Sequence, residues 1–239
     1  MTLGALPANF TATRHALHQI AFFAIAPARY KATGRMGLRA TPGGFGTPEF
    51  DGRVARVEGE FLVYEQDGNI STQQITTIRA AAEFFGVEYQ VEWFEDFHDP
   101  LEPADPDEPL SIDREAALAV GLWFEYGFDV LNRLRERGDD SDDVTEVQLW
   151  PEHFDPATEL GDQDEGQRAS FGASPGDSAN PEPYLYVAAW ADIDRSNDYW
   201  NNDSFNGASL AYEELASAED PVERGLEFLL QGYRVLHAD

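Results

Sequence analysis

The 239-residue sequence contains no cysteine. Disulfides, thiolate zinc sites, iron–sulfur clusters and a cysteine nucleophile are thereby excluded, and any metal would have to be held by His or carboxylate. Lysine is almost as scarce: Lys31 is the only one, and arginine supplies the rest of the 16 basic residues. Long apolar runs are missing too. Residues 20–28 are apolar, but the stretch is short and follows Arg14, His15 and His18, and residues 1–10 carry no basic segment. Neither a membrane span nor a signal peptide is expected, which makes the cytoplasm the default compartment.

Acid is what the chain has in abundance. Forty-five Asp and Glu against 16 Lys and Arg give a net charge of −29, which repels phosphate backbones and anionic membrane surfaces, so neither nucleic acid nor membrane is an expected partner. Two readings account for an acidic chain with one lysine: GC-rich coding, or adaptation to concentrated salt, where carboxylates hold surface water and screening suppresses self-repulsion. The second is favoured here. Apolar residues make up 42% of the chain, enough to offset its folding entropy, and the length suits a single compact domain over 1–239.

Periodicity divides the chain into mixed elements. Apolar residues at helical spacing predict a helix over 11–26, capped by Thr11 or Thr13 and ending before Pro27. Strand-like segments follow at 36–40, 53–58 and 60–64, with Asp67-Gly68-Asn69 as a hairpin turn, forming a short antiparallel meander. A helix over 78–85, capped by Thr76 or Thr77, leads into a strand over 87–94. Residues 98–112, rich in Pro, Asp and Glu, read as an exposed acidic loop. The clearest helix spans 113–137, with Ala117, Val120, Trp123, Phe124, Phe128, Leu131 and Leu134 on one broad face. A charged turn at 139–143 precedes strands at 144–150, 168–173 and 184–190, and a last helix runs from Pro221 to His237 behind an Asp220 cap. No regular βαβ alternation appears, so the fold class is α+β: a mainly antiparallel sheet packed against a long central helix plus N- and C-terminal helices.

Chemistry-bearing residues fall into a few clusters. In Leu149-Trp-Pro-Glu-His-Phe-Asp155, residues two apart on an extended chain point the same way, so His153 and Asp155 could act as a base with its orienting carboxylate or as two metal ligands. A packed histidine beside a turn-capping aspartate would read the same. Ser170-Phe-Gly-Ala-Ser-Pro-Gly-Asp177 sets Ser174 and Asp177 around a Pro-Gly turn that lacks both the nucleophile-elbow and the phosphate-loop frames, and it reads as a loop rim. Tyr184 and Tyr186 share one face of a strand, with Glu182 at its start, and either line an amphipathic pocket or edge a core. His15 and His18 lie three apart on the first helix without a third ligand, and Asp192, Asp194 and Asp198 depart from the calcium-loop spacing. No metal site and no cofactor is assigned.

Arg14-His-Ala-Leu17-His18, Met36-Gly-Leu-Arg-Ala-Thr41, residues 149–155, 172–177 and 183–190, Leu210-Ala-Tyr-Glu213 and Glu227-Phe-Leu-Leu-Gln-Gly-Tyr233, taken in order, resemble a bacterial domain family of unknown function. The resemblance covers most of the chain and implies one domain. It departs at Phe22, Phe23 and Ala24, where the family carries glutamine and a Gly-Lys pair, and it implies an architecture and no reaction. On the residues, the first expectation is a small-molecule-binding domain with a cleft lined by Trp150, His153, Asp155, Tyr184, Tyr186 and His18, with Ser174, Asp177 and Glu182 near it. The alternatives are a hydrolase-like or metal-dependent enzyme using His153 and Asp155, and an interaction module with an acidic surface. Oligomeric state is left open.

Overall fold

A computed structural model describes residues 1–93, 101–102, 104–138 and 142–238. The architecture is α+β, with two five-stranded antiparallel sheets of order β1-β2-β3-β4-β5 and β10-β9-β8-β7-β6. Among the described residues no helix is long and apolar enough to cross a membrane. The chain divides into two compact units, one made of Leu6–Glu125 with Leu149–Phe154, the other of Met1–Ala5, Tyr126–Gln148 and Asp155–Asp239.

The first unit opens with α1 (Phe10–Ile20), passes through one π-helical turn (Ala21–Ile25) and continues as α2 (Ala26–Thr33). The helix therefore does not stop before Pro27. Proline lacks the N–H that an α-helical ladder needs, and here it sits in the first turn of α2, directly after the π turn, where a missing amide is tolerated. Neither threonine caps the helix: the N-cap is Asn9, and the buried Thr13 hydroxyl instead accepts the Asp113 amide at 3.1 Å. The helix ends at Gly34, left-handed with φ 70°.

The meander then runs through β1 (Arg39–Thr41), β2 (Gly44–Gly46), β3 (Arg53–Glu58), β4 (Phe61–Gln66) and β5 (Asn69–Gln74). Asp67 and Gly68 both take positive φ, 50° and 79°, as the expected hairpin turn requires. Thr77 caps α3 (Ile78–Phe84) by accepting the Ala80 amide at 3.1 Å. The strand expected at 87–94 does not form: residues 87–93 are irregular, and residue 94 lies outside the described residues. The aromatic alternation there serves packing on a helix, since Tyr89 and Trp93 cover the buried Phe22, Phe23 and Ile78.

Of the acidic loop expected at 98–112, residues 98–100 and 103 lie outside the described residues. The rest is irregular and is tied down more than its composition suggests. Arg79 grips Asp107 through Nε at 2.7 Å and Nη2 at 2.9 Å, the Leu110 amide donates to Thr76, and Leu101, Ala104 and Leu110 join the Phe22–Phe23 cluster. Asp113 then caps α4 (Arg114–Arg135), whose first half belongs to this unit.

The second half of α4 belongs to the other unit, with β7 (Asp155–Leu160), β8 (Ala169–Ser174), β9 (Tyr184–Ala189), β10 (Gly207–Ala211), α5 (Tyr212–Ala216) and α6 (Pro221–Leu236). The strand expected at 144–150 shrinks to β6 (Gln148–Trp150), while β7 and β10 were not expected at all. Of the charged turn at 139–143, residues 139–141 lie outside the described residues. One sheet face carries the buried Phe171, Ala173, Leu185, Val187 and Leu210. Tyr126 of α4 donates its hydroxyl to the Pro221 carbonyl at 2.9 Å, and the Asp220 carboxylate accepts the first amides of α6 as expected. The far end of α6 is held by the buried Asp142, which accepts the Tyr233 hydroxyl at 2.8 Å and the His237 Nε2–H at 3.0 Å.

Candidate functional site

The opposite face of the β7–β10 sheet is polar. Antiparallel register sets Tyr186 opposite Gly172 and Ser209, and Tyr184 opposite Ser174. Side chains two apart share a face, so Tyr184, Tyr186 and Ala188 project together with Ser170, Gly172 and Ser174. Gly172 is buried because the Tyr186 ring lies directly over it; a Cβ there would overlap the ring's Cε1, Cζ and hydroxyl. A glycine opposite an aromatic on an antiparallel pair was the available sequence signal, but only once the register was known.

Two tyrosine–aspartate hydrogen bonds stand side by side on this face. Tyr186 donates to Asp155 Oδ2 at 2.6 Å, and Tyr184 donates to Asp177 Oδ2 at 2.7 Å, with the two ring centroids 6.2 Å apart. Asp177 is fixed by the Ala179 and Asn180 amides, each donating to Oδ1 at 2.7 Å. Ser174 accepts the Gly176 amide at 3.1 Å and also bonds the Tyr184 hydroxyl. Burial, and then the Asp155 charge, push the Tyr186 phenol well above its ordinary range; burial and the Asp177 bond do the same at Tyr184. Both are neutral hydroxyls with their protons committed to carboxylates. Phe205 closes one side of the Tyr186 ring, 6.2 Å between centroids.

Five expected site residues thus come together: Asp155, Ser174, Asp177, Tyr184 and Tyr186. Glu182 is exposed ahead of β9, and its charge acts on the Tyr212 hydroxyl. His153 and Asp155 do not form the pair that an extended chain would give. Phe154 between them takes φ 56°, a left-handed turn that breaks the alternation on which the pairing rested. His153 is half exposed in the first unit, with Glu152 Oε1 at 3.6 Å, whereas Asp155 is buried in the second.

His18 has a structural part in the first unit. Its Nε2–H is shared between the Pro151 and Glu152 carbonyls at 2.9 and 3.1 Å, and its ring stacks on Phe154 at 5.0 Å with the planes 6° apart. Phe154 in turn packs edge-on against Phe45 and Phe124. Burial lowers the His18 pKa to about 4, with the neighbouring His15 adding to the effect, so the ring is a neutral donor that clasps the 150–154 turn. Trp150 belongs to that same turn, its carbonyl accepting the Phe154 amide at 2.7 Å. His15 is exposed and accepts from Gln19. Asp194 holds the Ser196 amide within its own turn at 2.9 Å. Among the described residues no group of three or more His, Asp and Glu is placed to hold a metal ion.

No protein-family model, curated protein or solved structure matches the chain.

Proposed function

We propose that the chain binds a small, donor-rich polar ligand, a polyol or an amine, on the polar face of the β7–β10 sheet. The paired Tyr186–Asp155 and Tyr184–Asp177 hydrogen bonds carry this reading. A phenol whose proton is committed to a carboxylate offers its oxygen as an acceptor, and the charged partner enriches it. A ligand approaching with O–H or N–H groups therefore meets acceptors, and the net charge of −29 favours cationic or neutral ligands over anions. Neutral phenols also weigh against tyrosinate chemistry, and no histidine stands among these residues, so binding is favoured over hydrolysis.

Trp190 offers the readout. It continues the same strand face past Ala188, its Nε1 donates to Ser170 Oγ at 3.1 Å, and the Arg168 guanidinium lies 5.1 Å from its ring. Glucose, inositol and putrescine at millimolar concentration should include at least one compound that shifts the tryptophan emission. The shift should vanish in Trp190→Phe and weaken in Tyr186→Phe. An unchanged response in Tyr186→Phe, or none with any of the three, would sink the proposal.

A further inference from the structure

Charge is not spread evenly along this acidic chain. The first 48 residues contain none of the 45 Asp and Glu but five of the 16 Lys and Arg: Arg14, Arg29, Lys31, Arg35 and Arg39. Four of these lie within eleven residues, from α2 to the start of β1.

Arg29 is the unusual member. It is only 9% exposed, its Nη1 donates to the Gly37 carbonyl, and its Nε is buried without a hydrogen-bond partner among the described residues. Elsewhere a buried and a partly buried arginine receive carboxylates. Arg56 is matched by Glu58 at 2.7 Å and Glu65 at 3.0 Å, and Arg168 by Glu159 at 2.7 Å and Asp143 at 3.5 Å. Arg29 has no such match, nor do Lys31, Arg35 and Arg39, among the described residues. The charge that does act on Arg29 is a like one: burial and then Arg35 both pull its pKa down. Arg29 lies midway along α2, ahead of its last turn, and the Gly37 bond explains one of its donors. Neither supplies a negative charge to a buried guanidinium, which ordinarily requires one.

We infer that Arg29 and Arg35 form a binding site for a small oxyanion of the phosphate class, with Arg29 as the buried anchor and Arg35 as the exposed arm. The remaining guanidinium donors of Arg29 and the exposed fork of Arg35 suit the bidentate geometry that tetrahedral and carboxylate oxyanions accept. The anion would complete the ion pairing that no Asp or Glu among the described residues provides. This site is independent of the tyrosine face and stands or falls separately from it.

The probe is inorganic phosphate added to the full chain at constant ionic strength, with KCl lowered to compensate, read by the melting temperature and by broadening of the ³¹P resonance. Phosphate should raise the melting temperature at millimolar concentration where an equal ionic strength of chloride does not. Arg35→Gln, a surface change that leaves the core untouched, should weaken phosphate binding about tenfold, the size of one lost charged hydrogen bond. Arg29→Lys keeps the charge and loses the fork, and should weaken it by a similar factor. Absence of any phosphate effect in the wild type, or equal affinity in Arg35→Gln and wild type, overturns the assignment. Binding of a single-stranded oligonucleotide without binding of inorganic phosphate would also overturn it, in favour of a polyanion surface.

Discussion

Replacing Gly172 by alanine should destabilise the protein, against the usual direction for a strand. In an ordinary strand interior Gly→Ala gains roughly 0.5–1 kcal/mol by removing backbone freedom from the unfolded chain. At Gly172 the new methyl would occupy the space of the Tyr186 ring. The ring can swing clear only by giving up its 2.6 Å bond to Asp155, a residue 4% exposed. A hydrogen bond to a charged group contributes about 1.5–3 kcal/mol, so the net loss should be about 1–2 kcal/mol. Tyr186→Ala removes both the obstruction and the bond. In that background Gly172→Ala should be neutral or stabilising, giving a coupling of roughly 2 kcal/mol between two contacting residues. The four proteins are compared by equilibrium urea unfolding in molar KCl, followed by far-ultraviolet circular dichroism. If Gly172→Ala costs the same in both backgrounds, the ring is not seated on the glycine and the described face of the sheet is wrong.

Two further outcomes follow from charge. The melting temperature should climb steeply as KCl goes from dilute to molar, because screening relieves repulsion among 45 carboxylates; a flat or falling curve removes the salt-adapted reading. His18, with its pKa lowered from 6.5 to about 4 in the folded chain, binds its proton more readily when unfolded. Its contribution is complete above pH 6.5 and is lost as pH falls toward 4, by at most about 3 kcal/mol. His18→Gln keeps a donor for the Pro151 and Glu152 carbonyls but takes up no proton. Urea unfolding at pH 7 and pH 4.5 should therefore show wild type losing more stability than the variant, and parallel losses would exclude a buried neutral His18.

Local signals in the sequence carried far. Strand β3 falls on the expected residues 53–58, and Asp67-Gly68, Thr77 and Asp220 do what short-range stereochemistry asks of a hairpin turn and two N-caps. What misled were signals whose meaning depends on the partner. The 87–93 aromatics look like a strand because alternation is the same whether the far side is a sheet or a helix. Strand β7 begins Asp155-Pro156 and reads as a turn, since nothing local announces that the carboxylate is met by Tyr186 from 31 residues away. The shared face of Tyr184 and Tyr186 was legible from parity alone. Their pairing with Gly172 and Ser174 is a matter of register between strands, and the part His18 plays in clasping the 150–154 turn was not legible because the carbonyls it meets lie more than 130 positions along the chain.

The net charge is a property of the whole surface. A total of −29 argues against anionic partners only if the field of the whole surface reaches the site in question. At 1 M salt the screening length is about 3 Å, so the carboxylates of the remaining chain scarcely act on an anion approaching α2. What survives screening is contact-range electrostatics, and there the buried Arg29 and the exposed Arg35 present positive charge with no Asp or Glu before residue 49. The pairing of Arg56 and Arg168 with two carboxylates each makes the point sharper, because among the described residues the buried Arg29 guanidinium has none. An acidic surface suited to concentrated salt and a basic site for an anion are thus compatible. Salt at molar concentration removes the long-range repulsion that would otherwise keep the anion away.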